Sequence, residues 1–316
     1  MRAVRTLVAL ALIAATACTN QAGPNPSASP PAKSSSAADP MIAAAGDIAC
    51  NPRIAGWNGG RGTSSDCRQK ATAALLARGH YTAILPLGDE QYELGSLHDF
   101  RLGYGPTWGA FKSISYPVPG NHEYGTSDGS GYYAYFGKRA GDPAKGYYSY
   151  DLGAWHLIAL NSSCGGAGGC NAGSPQVHWL VADLAAHKNR CTLAYWHQPR
   201  FSSGLHGDDE SYAAFWRALY TGGADVVVNG HDHDYERFAP QTPAASADPK
   251  HGIREFVAGT GGRNLYPFLF VRPNSQVRRS GTFGILTLRL HPTSYDWRFI
   301  PIAGKTLSES GSGTCH

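Results

Sequence analysis

Apolar and polar positions along the chain switch between a period of two and a period near 3.6. MIAAAGDIA (41–49) and YTAILPLGD (81–89) are short apolar runs ending in Gly-Asp, and they predict buried strands that run into loops. Between them, Ser64-Ser65-Asp66 supply cap chemistry for a helix reaching Ala77. ISYPVPGNHE (114–123) predicts a third strand, with its prolines limiting regularity. GYYSYDLGAWHLIALNS (146–162) predicts a hairpin turning at Asp151-Leu152-Gly153. In SPQVHWLVADLAAH (174–187), Val177, Leu180, Val181 and Leu184 fall at helical spacing. CTLAYWH (191–197) predicts a strand, SYAAFWRALY (211–220) a helix, and ADVVVNGHDHDYER (224–237) a strand running into a loop. IREFVAGTGG (253–262) and FGILTLRLHPTSYDWRFIP (283–301) complete a β-rich C-terminal half. The alternation of strand and helix predicts an α/β fold, and no internal repeat interrupts it.

Polar residues collect at one place in this pattern. Asp47, Asp89, Asn121, His122, His197, His231 and His233 all lie just past the ends of predicted strands. In α/β sheets, ligands bind beyond the carboxyl ends of the strands. Each residue alone has an ordinary reading: a cap, a polar turn, a half-buried histidine. His231 and His233 stand two apart and share a side if extended. Five strand ends delivering such side chains to one edge make a metal site the better explanation of the whole set. The donors are imidazoles, carboxylates and one amide oxygen, without thiolate, which suits iron, zinc or manganese. They suffice for two ions, which need a shared carboxylate and can clamp both the attacking and the leaving oxygen of a phosphoryl transfer.

The ordered series GDIA (46–49), GDEQY (88–92), GNHE (120–123), a lone strand-end His197 and GHDH (230–233) resembles the calcineurin-like metallophosphoesterases. Tyr92, three residues after Asp89, makes it similar to their purple acid phosphatase branch. The resemblance runs from about Met41 to the C-terminus. It implies a four-layer αββα sandwich with mixed β-sheets. It also implies that Asp47, Tyr92 and His233 bind Fe(III), that Asp89 bridges both ions, and that Asn121, His197 and His231 bind a divalent Zn, Fe or Mn. His122 would face the substrate phosphate. His206, matched only by its distance from His197, would be a second substrate-facing histidine or an exposed loop residue. Ala49 departs from the pattern: this branch usually has glycine there, and the wider family has a histidine that helps bind the first metal. A phenolate from Tyr92 would replace that histidine with a harder, anionic donor, which favours a trivalent ion. The implied activity is hydrolysis of phosphate monoesters by attack of a metal-activated hydroxide on phosphorus, with His122 and His206 as catalytic groups. A phosphodiesterase acting on nucleotides or lipid headgroups would use the same centre, and a non-catalytic metal-binding surface protein would keep the fold alone. The separate N-terminal β-domain of plant-type members has no room in this chain.

The N-terminus changes the setting. MRAVRTLVALALIAATAC has a basic start, an apolar run too short to span a membrane and small residues before Cys18, as in a secretory signal peptide. Ala15-Thr16-Ala17-Cys18 resembles a bacterial lipobox, with Ala15 in place of the commoner leucine, so lipidated Cys18 would tether the protein to a membrane surface. Ordinary signal cleavage is the other reading. Residues 19–40 are rich in Pro, Ser and Ala and predict a flexible linker. The expected organisation is a signal peptide over 1–18, a linker over 19–40 and a catalytic domain over 41–316, in a secreted or lipid-anchored protein outside the cytoplasm.

Composition fits a globular domain: of 316 residues, 42% are hydrophobic and 16% charged. The formal charge of +4 falls to about +2 once Arg2 and Arg5 leave with the signal peptide, too little to argue for nucleic acid beyond a nucleotide substrate. Six cysteines remain after Cys18, an even number that suits disulfides in an exported domain. Fifteen pairings are formally open; Cys50–Cys67 and Cys164–Cys170 would close short loops, leaving Cys191–Cys315. GTGGRN (259–264) reads as a tight turn or a substrate-side loop. Trp108, Tyr116, Tyr132, Tyr133, Tyr135 and Phe136 read as core or pocket lining. Asp232, Tyr235, Glu236 and Arg237 read as supports for the metal-binding histidines.

Overall fold

The computed structural model describes residues 39–188, 191–307 and 309–316. The expected signal peptide, Cys18 and most of the expected linker lie outside them. Twelve strands are described. In chain order they are β1 (Met41–Ala45), β2 (Ala83–Pro86), β3 (Tyr148–Leu152), β4 (Trp155–Ala159), β5 (Cys191–Tyr195), β6 (Val226–Asn229), β7 (Tyr235–Phe238), β8 (Arg254–Ala258), β9 (Ser275–Arg279), β10 (Gly284–Leu290), β11 (Ser294–Pro301) and β12 (Glu309–Thr314). They form a five-stranded sheet, β12-β11-β10-β1-β2, and a seven-stranded sheet, β3-β4-β5-β6-β8-β7-β9. Both are mixed: β1 and β2 run parallel, as do β4, β5, β6 and β8, and antiparallel strands complete each sheet.

Alternation along each strand decides which layer a side chain enters. On β1, Ile42 and Ala44 join Leu85, Leu157, Leu193, Val228, Phe256 and Leu288 between the two sheets. Ala43 and Ala45 point to the other face, where the helices Gln69–Leu76 and Ser130–Phe136 cover the first sheet. The helices Pro175–Ala186 and Ala213–Thr221 cover the outer face of the second sheet. The layers therefore run α-β-β-α, as the resemblance implied. The helix over 175–186 starts where its chemistry demands: Ser174 accepts from Val177 N at 3.3 Å, and Pro175 fills the first turn. Val181, at core spacing, faces solvent. The aromatic set around Trp108, Tyr132 and Phe136 is core.

Several elements differ from expectation. The first helix begins at Gln69, without a side-chain cap. Ser64-Ser65-Asp66 instead form a turn on the Thr63 hydroxyl, and the helix starts only after Cys67, which is left-handed at φ 60°, and Arg68 have donated their N–H groups to Arg263 and Gly262. The stretch 114–123 runs beside β2 and donates to it from Tyr116 N and Val118 N, while Pro117 and Pro119 leave its opposite edge without N–H donors. Strands β9 and β12 gave no sequence signal: SQVRR and ESGSGT are polar edge strands.

The disulfides are Cys50–Cys67, Cys164–Cys170 and Cys191–Cys315. Among the described residues, no helix is long and apolar enough to cross a membrane.

Candidate metal centre

The parallel pairing of β1 and β2 continues past their ends. Asp47 N donates to Gly88 O at 3.1 Å, Ile48 N to Asp89 O at 2.9 Å and Ala49 N to Glu90 O at 3.0 Å. Tyr92 N then donates back to Ala49 O at 2.9 Å. This ladder sets Asp47 beside Asp89 and turns Tyr92 toward both. The backbone at Asp47, Asp89 and His231 is left-handed, with φ of 60°, 49° and 70°. Non-glycine residues seldom adopt it, and they cluster where the surrounding structure holds them for a purpose. Gly88 is also left-handed, and a Cβ there would come within 2.7 Å of the His197 ring.

Six predicted residues meet in one buried cluster. The Tyr92 hydroxyl lies 2.8 Å from Asp47 Oδ1, 3.0 Å from His233 Nε2 and 3.1 Å from Asp89 Oδ2. His233 Nε2 lies 3.1 Å from Asp47 Oδ1. On the other side, His197 Nε2 is 3.2 Å from Asp89 Oδ2 and 3.2 Å from His231 Nδ1. The cluster is two half-sites that share Asp89. His122 stands at its edge: its backbone N–H donates to Asp89 Oδ1 at 2.9 Å, and its Nε2 is 3.8 Å from Asp89 Oδ2. His206 Nδ1 is held by Asp232 Oδ1 at 2.9 Å, and its ring centre is 4.1 Å from that of His231. Asn121 is exposed beside His122, and its amide makes no protein hydrogen bond among the described residues.

The donor set fits cations. His197 Nδ1 donates to the Leu87 carbonyl at 2.8 Å, which leaves Nε2 for the centre. Burial holds His231 down at about 3, so its ring is neutral and has a lone pair to give. His197 is pushed to about 9: burial works against the rise, but the charge of Asp89 prevails. Burial, followed by the charges of Asp47 and Asp89, pushes the Tyr92 hydroxyl well above its ordinary range. Two carboxylates thus draw protons onto their neighbours, a role that positive ions would take over. Neither half contains sulfur, and hard carboxylate and phenol oxygens dominate the Tyr92 side.

Residues that sequence reasoning did not single out hold this cluster in shape. Glu123 is fully buried and accepts three backbone N–H groups: Asp89 at 2.8 Å, Gly120 at 2.8 Å and Gln91 at 3.2 Å. Burial, then the charge of Asp89, pushes its carboxyl to about 7. Asn264 Oδ1 lies 3.1 Å from His233 Nδ1, and the Tyr266 ring stacks on His233 at 4.1 Å and 7°. The Arg263 guanidinium lies over Tyr92, 5.2 Å from the ring centre, and pairs with Asp66 and Glu93. GTGGRN thus wraps the Tyr92 half of the centre. Its only early signal was its glycine content.

The calcineurin-like phosphoesterase family model matches residues 42–235. Purple acid phosphatase 21 of Arabidopsis thaliana is 32% identical over 152 residues, 46% of this chain and 34% of that protein. Human acid phosphatase type 7 is 30% identical over 241 residues, 64% of this chain and 53% of that protein. The fold also matches purple acid phosphatase PPD1 from yellow lupin seeds, with a TM-score of 0.70 at 15% identity, over 87% of this chain and 53% of that one. The chain therefore spans about a third to a half of these relatives. It belongs to the calcineurin-like phosphoesterases and is homologous to the purple acid phosphatases.

Proposed function

We propose that the chain is an exported, metal-dependent phosphatase that hydrolyses phosphate monoesters. The observation that carries this reading is the position of Asp89 Oδ2, within 3.2 Å of both the Tyr92 oxygen and His197 Nε2. One carboxylate oxygen is thereby common to two donor sets. Asp47, Tyr92 and His233 would hold Fe(III); Asn121, His197 and His231 would hold Zn, Fe or Mn(II); Asp89 would serve both. The ions would supply charge neutralisation for phosphate oxygens and a lowered pKa for the attacking water.

The chain's own residues supply orientation and protons. His122 Nδ1 lies 2.6 Å from the Glu93 carbonyl oxygen and donates to it, so Nε2 is the atom left for substrate. His206 Nδ1 is engaged by Asp232, which leaves its Nε2 in the same role. Both would donate to phosphoryl oxygens or to the leaving oxygen, where hydrogen bonds strengthen as charge develops. Phosphoryl transfer demands mainly such positioning and charge stabilisation. The three disulfides and the signal-like N-terminus support export, and Cys18 is the candidate lipid anchor.

Turnover of an aryl phosphate monoester, compared with its diester, tests the reading in metal-replete protein. Monoester hydrolysis should dominate, and His122→Ala should abolish it while leaving metal content unchanged. Dominant diester turnover would move the assignment to a phosphodiesterase. No turnover of either ester would leave a metal-binding surface protein.

A further inference from the structure

We infer that Arg263 is a positioning residue that acts through Tyr92: its guanidinium, held over the phenol ring, fixes the ring in the centre and limits how much electron density the phenolate oxygen gives to the ion it would bind. The inference rests on the reading of Tyr92 as an iron ligand and adds to it the residue that tunes that ligand. Its basis is a chain of contacts from the backbone of the centre to the face of the Tyr92 ring.

The backbone sets Arg263 beside the centre. Arg263 N donates to Asp47 O at 2.8 Å, and Arg263 O accepts from Cys67 N at 2.9 Å. The residue before it has to be glycine. Gly262 has a φ of 154°, and a Cβ there would come within 2.6 Å of Gln69 N and Ile48 O. The loop over 259–264 is thereby pressed against the Asp47 turn.

The side chain then reaches Tyr92. The guanidinium lies 5.2 Å from the ring centre, inside the reach of about 6 Å for a cation over an aromatic face. Nη1 donates to Asp66 at 3.0 Å and Nη2 to Glu93 at 3.1 Å. Asp66 adjoins Cys67 of the Cys50–Cys67 disulfide, and Glu93 follows Tyr92 directly. The guanidinium is thus held from two sides while it covers the ring. Among the described residues, no other lysine or arginine lies over the ring of a candidate metal ligand.

A guanidinium is a permanent cation. Its two carboxylate partners oppose its field. Their side chains are 38% and 43% exposed, against 23% for Arg263, so water screens them more and the cation prevails at the ring. A positive charge there stabilises electrons on the phenolate. Moving an electron from phenolate to iron then needs more energy. An ion pair that served only to staple loops together would hold the ring and leave that energy unchanged.

The test is the visible band of the full, aerobically purified chain, read per bound iron in wild type, Arg263→Met and Glu93→Gln. Arg263→Met removes the charge and keeps much of the side chain's length. Its band should move to longer wavelength by on the order of 10 nm, the scale set by a unit charge about 5 Å away. Glu93→Gln removes an opposing anion and leaves intact the backbone carbonyl that accepts from His122. Its band should move to shorter wavelength, by less. Opposite directions in the two variants identify charge, because looser packing would not reverse sign between them. An unmoved band in Arg263→Met, or a shift to longer wavelength in Glu93→Gln, would overturn the inference and spare the iron assignment. If Arg263→Met folds poorly or loses its iron, Glu93→Gln decides: a shift to shorter wavelength supports the inference and an unmoved band overturns it. A colourless wild type would overturn the iron assignment, and the inference with it.

Discussion

Glu123 Oε2 accepts the backbone N–H of Asp89 at 2.8 Å, so a buried acid holds in place the residue that both half-sites share. The same carboxylate accepts from Gly120 and Gln91. Glu123→Ala would strand three buried N–H groups, each at a cost of about 1–3 kcal/mol. The expected loss is about 3–5 kcal/mol in denaturant unfolding, together with loss of metal. Glu123→Gln keeps one acceptor oxygen and should lose about half as much.

Asn264 offers a more selective probe. Its oxygen fixes His233 Nδ1 from the loop outside the centre. Removing such a partner typically costs 10–100-fold in metal affinity. Asn264→Leu should weaken metal retention by about tenfold or more in chelator competition, while thermal stability of the metal-free protein changes little. Equal retention would show that Tyr266 stacking alone orients His233.

A charge network far from the centre predicts a pH dependence of stability. His156, fully buried on β4, lies 2.8 Å from Asp151 of β3 and 2.8 Å from Asp183 of the helix over 175–186, and stacks on His187 at 4.3 Å. Burial opposes a charge on His156, but the hydrogen bonds to Asp183 and Asp151 raise it above its ordinary value. Burial also opposes the charge on Asp183, yet the His156 hydrogen bond lowers it. The histidine contribution is complete below its unfolded pKa of about 6.5 and is lost as pH rises through the higher folded value. The aspartate contribution is present above about 3.8 and is lost as pH falls through the lower folded value. His156→Gln should therefore cost most near pH 5 to 6, on the order of 2–3 kcal/mol for hydrogen bonds to charged groups. The difference from wild type should shrink as pH rises well above 7. A constant difference across that range would show that packing, rather than charge, is what His156 supplies.

The disulfides should not be equivalent. Cys191–Cys315 joins residues 124 apart in sequence, and Cys164–Cys170 only 6 apart. Loop-closure entropy grows with the closed length. Replacing both members of the long pair by serine should cost about 4 kcal/mol, and replacing the short pair clearly less, as measured by denaturant midpoints. The reverse order would indicate that enthalpy in the short loop dominates.

The residues at the strand ends were legible early because their chemistry is unusual there: carboxylates and imidazoles following apolar runs have few structural uses. The fold class followed from the same alternation. The supports were harder to see. Glu123 belongs to the GNHE motif, yet its partners are backbone N–H groups, which leave no mark in sequence. Asn264 and His233 are 31 residues apart, and only the loop path brings them together. Ser64-Ser65-Asp66 has the composition of a cap, yet the helix starts only after Cys67 and Arg68, whose N–H groups are taken by the carbonyls of Arg263 and Gly262, a long-range pairing that sequence does not display. Polar edge strands such as β12 lack the alternation that identifies buried ones.

The central claim is that Tyr92 and Asp89 make a two-metal centre with Fe(III) on the tyrosine side. The direct measurement is iron analysis with a visible absorption spectrum of the aerobically purified protein and its Tyr92→Phe variant. The account predicts bound iron, a second divalent metal and a purple phenolate-to-iron band in wild type, with the band gone in the variant. A colourless wild-type protein without iron, or a band that survives Tyr92→Phe, would contradict it.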